Sequence, residues 1–377
     1  MENKKIKTVG IVAEFNPFHQ GHSHLVKEID RELGNPCKVS VMSGNFTQRG
    51  EFAVYDKWER AAAAVSNGIN LVVELPVVYA CSNAGDFARG AVSILEAMGN
   101  VDYLAFGSET GDLESLIEFA DFQKENEEKL KPLIKEFSSK GMSYPKAREE
   151  GAKTLGFKGN TEEFNESNNI LALEYLKNIV NMEPIAIKRS GEGYIESASK
   201  IRREMFANDK IGLETMEKRY FDLIRMAILS GNYDEMEEIA SSGEGLSNRL
   251  KKQVRYASTR DELIESVKSK RYTYTRIGRL LCQTLLGIKA QDCRNGAIYI
   301  RPLAMDKIGA SILKKSKKKS DGTVAFVDSI NKAIYDFPEI EKTLMKDVMA
   351  SDVFNIISGR NMESHSDFIK KPVIIRR

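Results

Sequence analysis

Val9-Gly-Ile-Val-Ala-Glu-Phe-Asn-Pro-Phe-His-Gln-Gly-His-Ser-His-Leu25 is the stretch from which the rest of the chain is read. Its first five residues are apolar and rich in β-branched side chains. The polar turn at Asn16 and Pro17 breaks that run before a helical pattern begins, so the order is strand, loop, helix. His19 and His22 stand three apart, and a helix starting near Phe18 puts both imidazoles on one face of its first turn. Gly21 carries no side chain and lets a ligand sit against the backbone. A helix N-terminus supplies unpaired N–H groups and the positive end of the dipole, which suits phosphate, and neutral imidazoles add further donors. Taken alone, a His-x-Gly-His tetrad also describes a metal pair or two surface histidines. The preceding strand and the Asn-Pro turn favour phosphate.

Outward from this stretch, residues 38–42, 69–75 and 101–106 read as further strands, with helical segments at 56–67 and 84–98. Strands and helices alternating at this spacing make parallel βαβ units and hence an open α/β sheet. Ligands of such sheets bind at the carboxyl ends of the strands, so the loops 16–22, 43–50 and 107–109 are expected to share one crevice. Residues 113–140 read as a charged, solvated helical face, and 145–155 as another helix. Ser167, Asn168 and Asn169 cap a helix running to 178, and 184–188 is a fifth strand with Arg189 at its end. Beyond a flexible loop, Ser197-Ala-Ser-Lys-Ile-Arg202 starts a helix. Hydroxyls and an arginine at a helix start make a second phosphate cradle, or else a plain N-cap with a surface arginine.

From Phe206 the alternation ceases, and 213–229, 233–239, 246–257 and 261–269 have helical periodicity. The expected division is an α/β domain over 1–205 and a mainly helical domain over 206–377. Within the second lies Lys268-Ser-Lys-Arg-Tyr-Thr-Tyr-Thr-Arg-Ile-Gly-Arg279, where basic residues interleave with two tyrosines. Such a run can hold a phosphate backbone and stack on unpaired bases; it can also be a basic helix end packed on acidic neighbours. The lysine run 314–319 reads as a mobile loop adding nonspecific attraction for nucleic acid. Lys57 either reaches a phosphate or stands exposed, and 351–377 carries no readable role.

The chain has 377 residues, enough for two cores, and with 42% hydrophobic and 29% charged residues it has the composition of a soluble globular protein. No apolar run approaches the roughly 20 residues of a membrane span, and no secretory pattern follows the N-terminus. Cys37, Cys81, Cys282 and Cys293 are scattered, which suggests neither a disulfide frame nor a metal site, and a cytoplasmic protein is expected. A net charge of +2 says nothing as a total, so any nucleic-acid argument rests on charge distribution.

Seen together, the tetrad and the Ser197–Arg202 peptide resemble the nucleotidyltransferase superfamily, with Ala198 standing where that superfamily has a second hydroxyl. More closely, Glu14-Phe-Asn-Pro-Phe-His-Gln-Gly-His22, Met42-Ser-Gly-Asn-Phe-Thr-Gln-Arg-Gly50, Phe106-Gly-Ser-Glu109, Ser167-Asn-Asn-Ile-Leu171 and Lys270-Arg-Tyr-Thr-Tyr-Thr-Arg276 are similar to the bacterial tRNA(Met) cytidine acetate ligase family. The resemblance covers essentially the whole chain. It implies a Rossmann-like open parallel sheet of nucleotidyltransferase type, followed by a mainly helical tRNA-binding domain. It also implies an enzyme that activates acetate with ATP as acetyl-adenylate and passes the acetyl group to N4 of the wobble cytidine of elongator tRNA(Met). His19, His22, Arg189, Ser197 and Arg202 would be the catalytic groups, with Ser199 beside them. ATP, with Mg2+ carried on the nucleotide, would lie against Val12, Ala13, Glu14, Phe15, Asn16, Pro17, Phe18, His19, Gln20, Gly21, His22, Ser23, His24, Leu25, Gly107, Asn169 and Arg189. Asn168 is the less favoured of its pair. Lys270, Arg271, Tyr272, Tyr274, Arg276 and Arg279 would contact tRNA. Competing readings are a small-molecule adenylyl- or cytidylyltransferase and a non-catalytic RNA-binding protein with a vestigial nucleotide pocket.

Overall fold

Short β-branched runs do form the centre of the molecule: β1 (Thr8–Ala13), β2 (Cys37–Ser43), β3 (Leu71–Leu75), β4 (Tyr103–Ser108) and β5 (Glu183–Lys188). The computed structural model describes residues 6–159, 161–189, 210–243, 245–269, 272–296 and 298–376. These five strands pair in parallel in the order β5-β4-β1-β2-β3. The order reverses between β1 and β4, and at such a switch point the loops leaving the strand ends diverge to open a crevice.

Helices cover both faces, as a parallel sheet requires. Val9, Ile11, Met42 and Val72 point to one side, where they pack with Val26 and Ile29 of α1 (Gln20–Leu33) and Trp58 and Ala61 of α2 (Lys57–Ser66). Their strand neighbours Val39, Val41, Leu71 and Val73 point to the other side, against Ala88, Ala91 and Leu95 of α3 (Ala84–Met98). The period-2 alternation thus feeds two cores. The helix α4 (Ser167–Asn178) packs beside α3 and leads into β5.

Past Lys210 the chain is mostly helical, with α5 (Lys210–Ser230), α6 (Tyr274–Leu286), α7 (Lys307–Lys319) and α8 (Glu341–Ser358) as its long elements. It is not separate from the sheet, however. Besides a small pair formed by β6 (Tyr299–Ile300) and β8 (Ala325–Phe326), β7 (Pro302–Met305) runs antiparallel beside β3, and β9 (Val373–Ile374) pairs with β7. The far edge of the sheet therefore comes from residues expected in the helical domain. Strands of two and four residues carry too little alternation to be read locally.

A buried charge cluster fixes this return. Lys57 is neither exposed nor aimed at a ligand site: its Nζ lies 2.7 Å from both Glu74 and Asp367. Arg301 lies 3.1 Å from Glu74 and 3.0 Å from Asp367, and Ser351 of α8 donates to Asp367 at 2.8 Å. Next to it, burial and the Glu74 charge push the Asp347 carboxyl up to about 7. Asp347 accepts from the Val77 N–H at 2.6 Å, tying α8 to the chain that follows β3. The lysine run 314–319 is the end of α7 rather than a mobile loop; lysines are good helix formers and favour the negative end of the dipole. Among the described residues, no helix is long and apolar enough to cross a membrane.

Candidate active site

The turn after β1 is stitched to the loop after β2. Glu14 accepts from the Gln48 N–H at 2.8 Å and Asn16 from the Val54 N–H at 2.9 Å. The buried guanidinium of Arg60 bridges the carbonyls of Glu14 and Ser43. Burial pushes the Glu14 carboxyl above its ordinary range.

His19 then caps α1. Its Nδ1 accepts from the Gly21 N–H at 3.0 Å, and the His22 Nδ1 accepts from the His19 N–H at 3.2 Å. A ring nitrogen that accepts carries no proton, so each neutral ring holds its proton on Nε2. The two rings lie 3.8 Å apart, with Phe15 edge-on to His22 at 4.9 Å and Phe18 at 5.4 Å. This enclosure, with His19 and Arg189 nearby, holds His22 well below its ordinary 6.5, so at neutral pH it is a hydrogen-bond donor without a charge. Of the N–H groups at this helix start, that of Gly21 is occupied by His19. The donors of this corner are thus the imidazoles.

Arg189 stands at the end of β5, where its N–H donates to the Ser108 carbonyl at 2.9 Å. Its Nη1 lies 3.5 Å from the Asn168 side-chain oxygen, and a Cβ added at Gly107 would come 3.4 Å from its Cγ. The two asparagines exchange their expected roles. Asn169 is fully buried: its oxygen accepts from Ser108 at 2.7 Å and from the Glu109 N–H at 3.1 Å, and its amide donates to the Glu163 carbonyl at 2.8 Å. Asn169 therefore shapes the loop after β4, and Asn168 faces the crevice. Both lie in the first turn of α4 rather than capping it.

The crevice is a cavity of about 940 Å³. Of the expected nucleotide residues, Val12, Ala13, Glu14, Phe15, Asn16, His19, Gly21, His22, His24, Leu25, Gly107 and Arg189 line it. Pro17, Phe18, Gln20 and Ser23 do not; Phe18 packs behind the lining against Phe15 and His22, and Gln20 is exposed. Ser197, Ser199 and Arg202 lie outside the described residues.

Part of the wall comes from the basic–aromatic run. Gly50 has φ +71°, and a Cβ there would meet the Gly278 carbonyl oxygen at 2.3 Å; one on Gly278 would meet the Arg49 carbonyl at 2.7 Å. Two glycines thus let α6 pack backbone to backbone on the loop after β2. Tyr220 of α5 donates to the Gly50 carbonyl at 2.8 Å. The N-terminus of α6, capped by Thr273, is held at the crevice, where Thr273, Thr275 and Arg279 join Gln48 and Arg49 in its lining. The other expected tRNA residues divide. Tyr272 is only 4% exposed and packs in the core beneath the Arg276 guanidinium, so its ring is no stacking platform. Tyr274 is partly exposed and bonds through its hydroxyl to Asp261. Arg276 reaches the carbonyls of Ser241 and Ser242 at 3.3 and 3.4 Å. Lys270 and Arg271 lie outside the described residues. Sequence reasoning missed Thr273 and Thr275 as crevice residues, although both sit inside the run it singled out.

Comparison with known proteins narrows what such a crevice belongs to. A family model described as HIGH nucleotidyl transferase matches residues 6–367. The tRNA(Met) cytidine acetate ligase of Clostridium botulinum (strain Loch Maree / Type A3) is 33% identical over 411 residues, covering 97% of this chain and 98% of that protein. The chain belongs to the tRNA(Met) cytidine acetate ligase family. The ligase of Clostridium perfringens (strain SM101 / Type A) is 34% identical, with coverage of 97% and 99%. Thermotoga maritima TmcAL bound with alpha-thio ATP matches with a TM-score of 0.88 at 29% identity, over 99% of this chain and all of that one. The apo form of that ligase gives 0.87 at 30% identity. The nucleotidyltransferase-type fold that the resemblance of the combined motifs implies is borne out.

Proposed function

We propose that this protein is an ATP-dependent ligase that acetylates N4 of the wobble cytidine in elongator tRNA(Met), acting in the cytoplasm. The carrying observation is that one crevice joins the His19–His22 corner and Arg189 to the start of the basic–aromatic helix. In the first step a carboxylate oxygen of acetate attacks the α-phosphorus of ATP. The bond to the β-phosphate bridging oxygen breaks, giving acetyl-adenylate and pyrophosphate. Charge grows on the departing phosphates, which uncharged Nε2–H donors and the Arg189 guanidinium stabilise without rearranging. Ser197 and Arg202 complete this grip, and Mg2+ arrives with the nucleotide. In the second step N4 attacks the acetyl carbon, the bond to the phosphate oxygen breaks, AMP leaves and N4 gives up a proton. A mixed anhydride needs little beyond placement for this step. Placement falls to the basic–aromatic run that precedes Arg279, of which Thr273 and Thr275 line the same crevice.

Acetate-dependent exchange of labelled pyrophosphate into ATP tests the reading. Exchange should require acetate and need no RNA; exchange indifferent to acetate, or none at all, would reject it in favour of another nucleotidyltransfer or a binding role. The histidine corner adds a pH prediction. Because His22 is held below 6.5, the exchange rate should show no step at the ordinary histidine value and should fall only at lower pH, as the ring gains its proton. A titration centred near 6.5 and abolished in His22→Asn would contradict this.

A further inference from the structure

Arg279 does not behave like a residue on an RNA-binding surface. It follows Gly278, the point where α6 touches the loop after β2 backbone to backbone, so its starting position is fixed by two glycines rather than by flexible packing. It lines the same cavity as His22 and Arg189. Its Nε is buried without a hydrogen-bond partner. Among the described residues its guanidinium makes no ion pair, and its charged neighbour is another cation, Arg276. Two fully buried arginines are compensated, Arg301 between Glu74 and Asp367 and Arg60 by backbone carbonyls; buried Arg148 keeps one bond, to the Phe164 carbonyl, but does not line the crevice. A partly buried cation without a counter-charge is costly to keep, and the cost is recovered when an anion arrives. Burial and the Arg276 charge lower its pKa to about 10, which still leaves it protonated at neutral pH.

We propose that Arg279 is the receptor for an oxyanion of the reacting ligands inside the crevice, either the carboxylate of the acid or a phosphate of the nucleotide, and that it acts in the first step rather than in gripping tRNA. A guanidinium presents a planar fork that matches either group in two-point contact. This rests on the adenylation reading above and assigns the helical part of the chain a share in it.

Arg279→Met keeps the stem and removes the fork. The full chain carrying it should have a thermal midpoint without ligand equal to or above that of the parent, since an uncompensated charge has gone. Acetate-dependent pyrophosphate exchange should fall by about 100-fold, while filter-binding affinity for tRNA stays unchanged. Calorimetric titration with ATP alone separates the two sources. Weaker ATP binding assigns Arg279 to phosphate; unchanged ATP binding with a raised KM for acetate assigns it to the carboxylate. Should Arg279→Met unfold, Arg279→Lys retains the charge without the fork and carries the same measurements, with a smaller loss expected. Exchange and both ligand affinities equal to those of the parent, or a loss confined to tRNA affinity, would overturn the inference. If the parent itself shows no acetate-dependent exchange, the functional reading fails instead.

Discussion

Replacing His22 by alanine is expected to lower acetate-dependent pyrophosphate exchange by about 10²–10³-fold, the loss typical of deleting one donor to transition-state charge. The imidazole proton lies on Nε2 because Nδ1 accepts from the His19 N–H, and the enclosure by Phe15, Phe18 and His19 keeps the ring neutral. Alanine removes the donor and one half of the α1 capping box, which costs about 1 kcal/mol of stability. The enzyme should therefore stay folded and lose the first step. Exchange kinetics beside a thermal melt check both parts. A variant that melts slightly earlier than the parent yet exchanges like it would show that the histidine corner only caps a helix.

The second large effect is structural. Lys57→Met should destabilise the chain by about 3–5 kcal/mol, because Glu74 and Asp367 are then left buried with Arg301 as their remaining cation. The loss should come mainly from the uncompensated carboxylates, so Lys57→Met combined with Asp367→Asn should recover part of it. Urea unfolding followed by the fluorescence of Trp58, the sole tryptophan, reports the change beside the altered residue. Equal midpoints for Lys57→Met and the parent would mean that the cluster does not hold the C-terminal strand on the sheet.

These two residues also show what a sequence reveals. The His19–His22 corner was legible because its partners are local: a β-branched strand, an Asn-Pro turn and a helix start fit within 17 residues. The five parallel strands were legible for the same reason, each being a short apolar run with its own punctuation. Lys57 was not. Its neighbours describe an ordinary helix start, whereas one of its partners lies 310 residues away. The tail was unreadable because β9 has two residues and derives its meaning from β7. Asn168 and Asn169 were exchanged because one residue along a helix turns a side chain by about 100°, and only the fold decides which turns inward. Tyr272 and Tyr274 looked alike in an aromatic–basic run, yet Tyr272 is core and Tyr274 is partly open.

The most direct test is mass spectrometry of nucleosides from elongator tRNA(Met) incubated with the protein, ATP and acetate. A gain of one acetyl group on the wobble cytidine, dependent on both ATP and acetate and absent with His22→Ala, is the predicted result. Unmodified cytidine in a reaction where the protein binds both ATP and the tRNA would contradict the account.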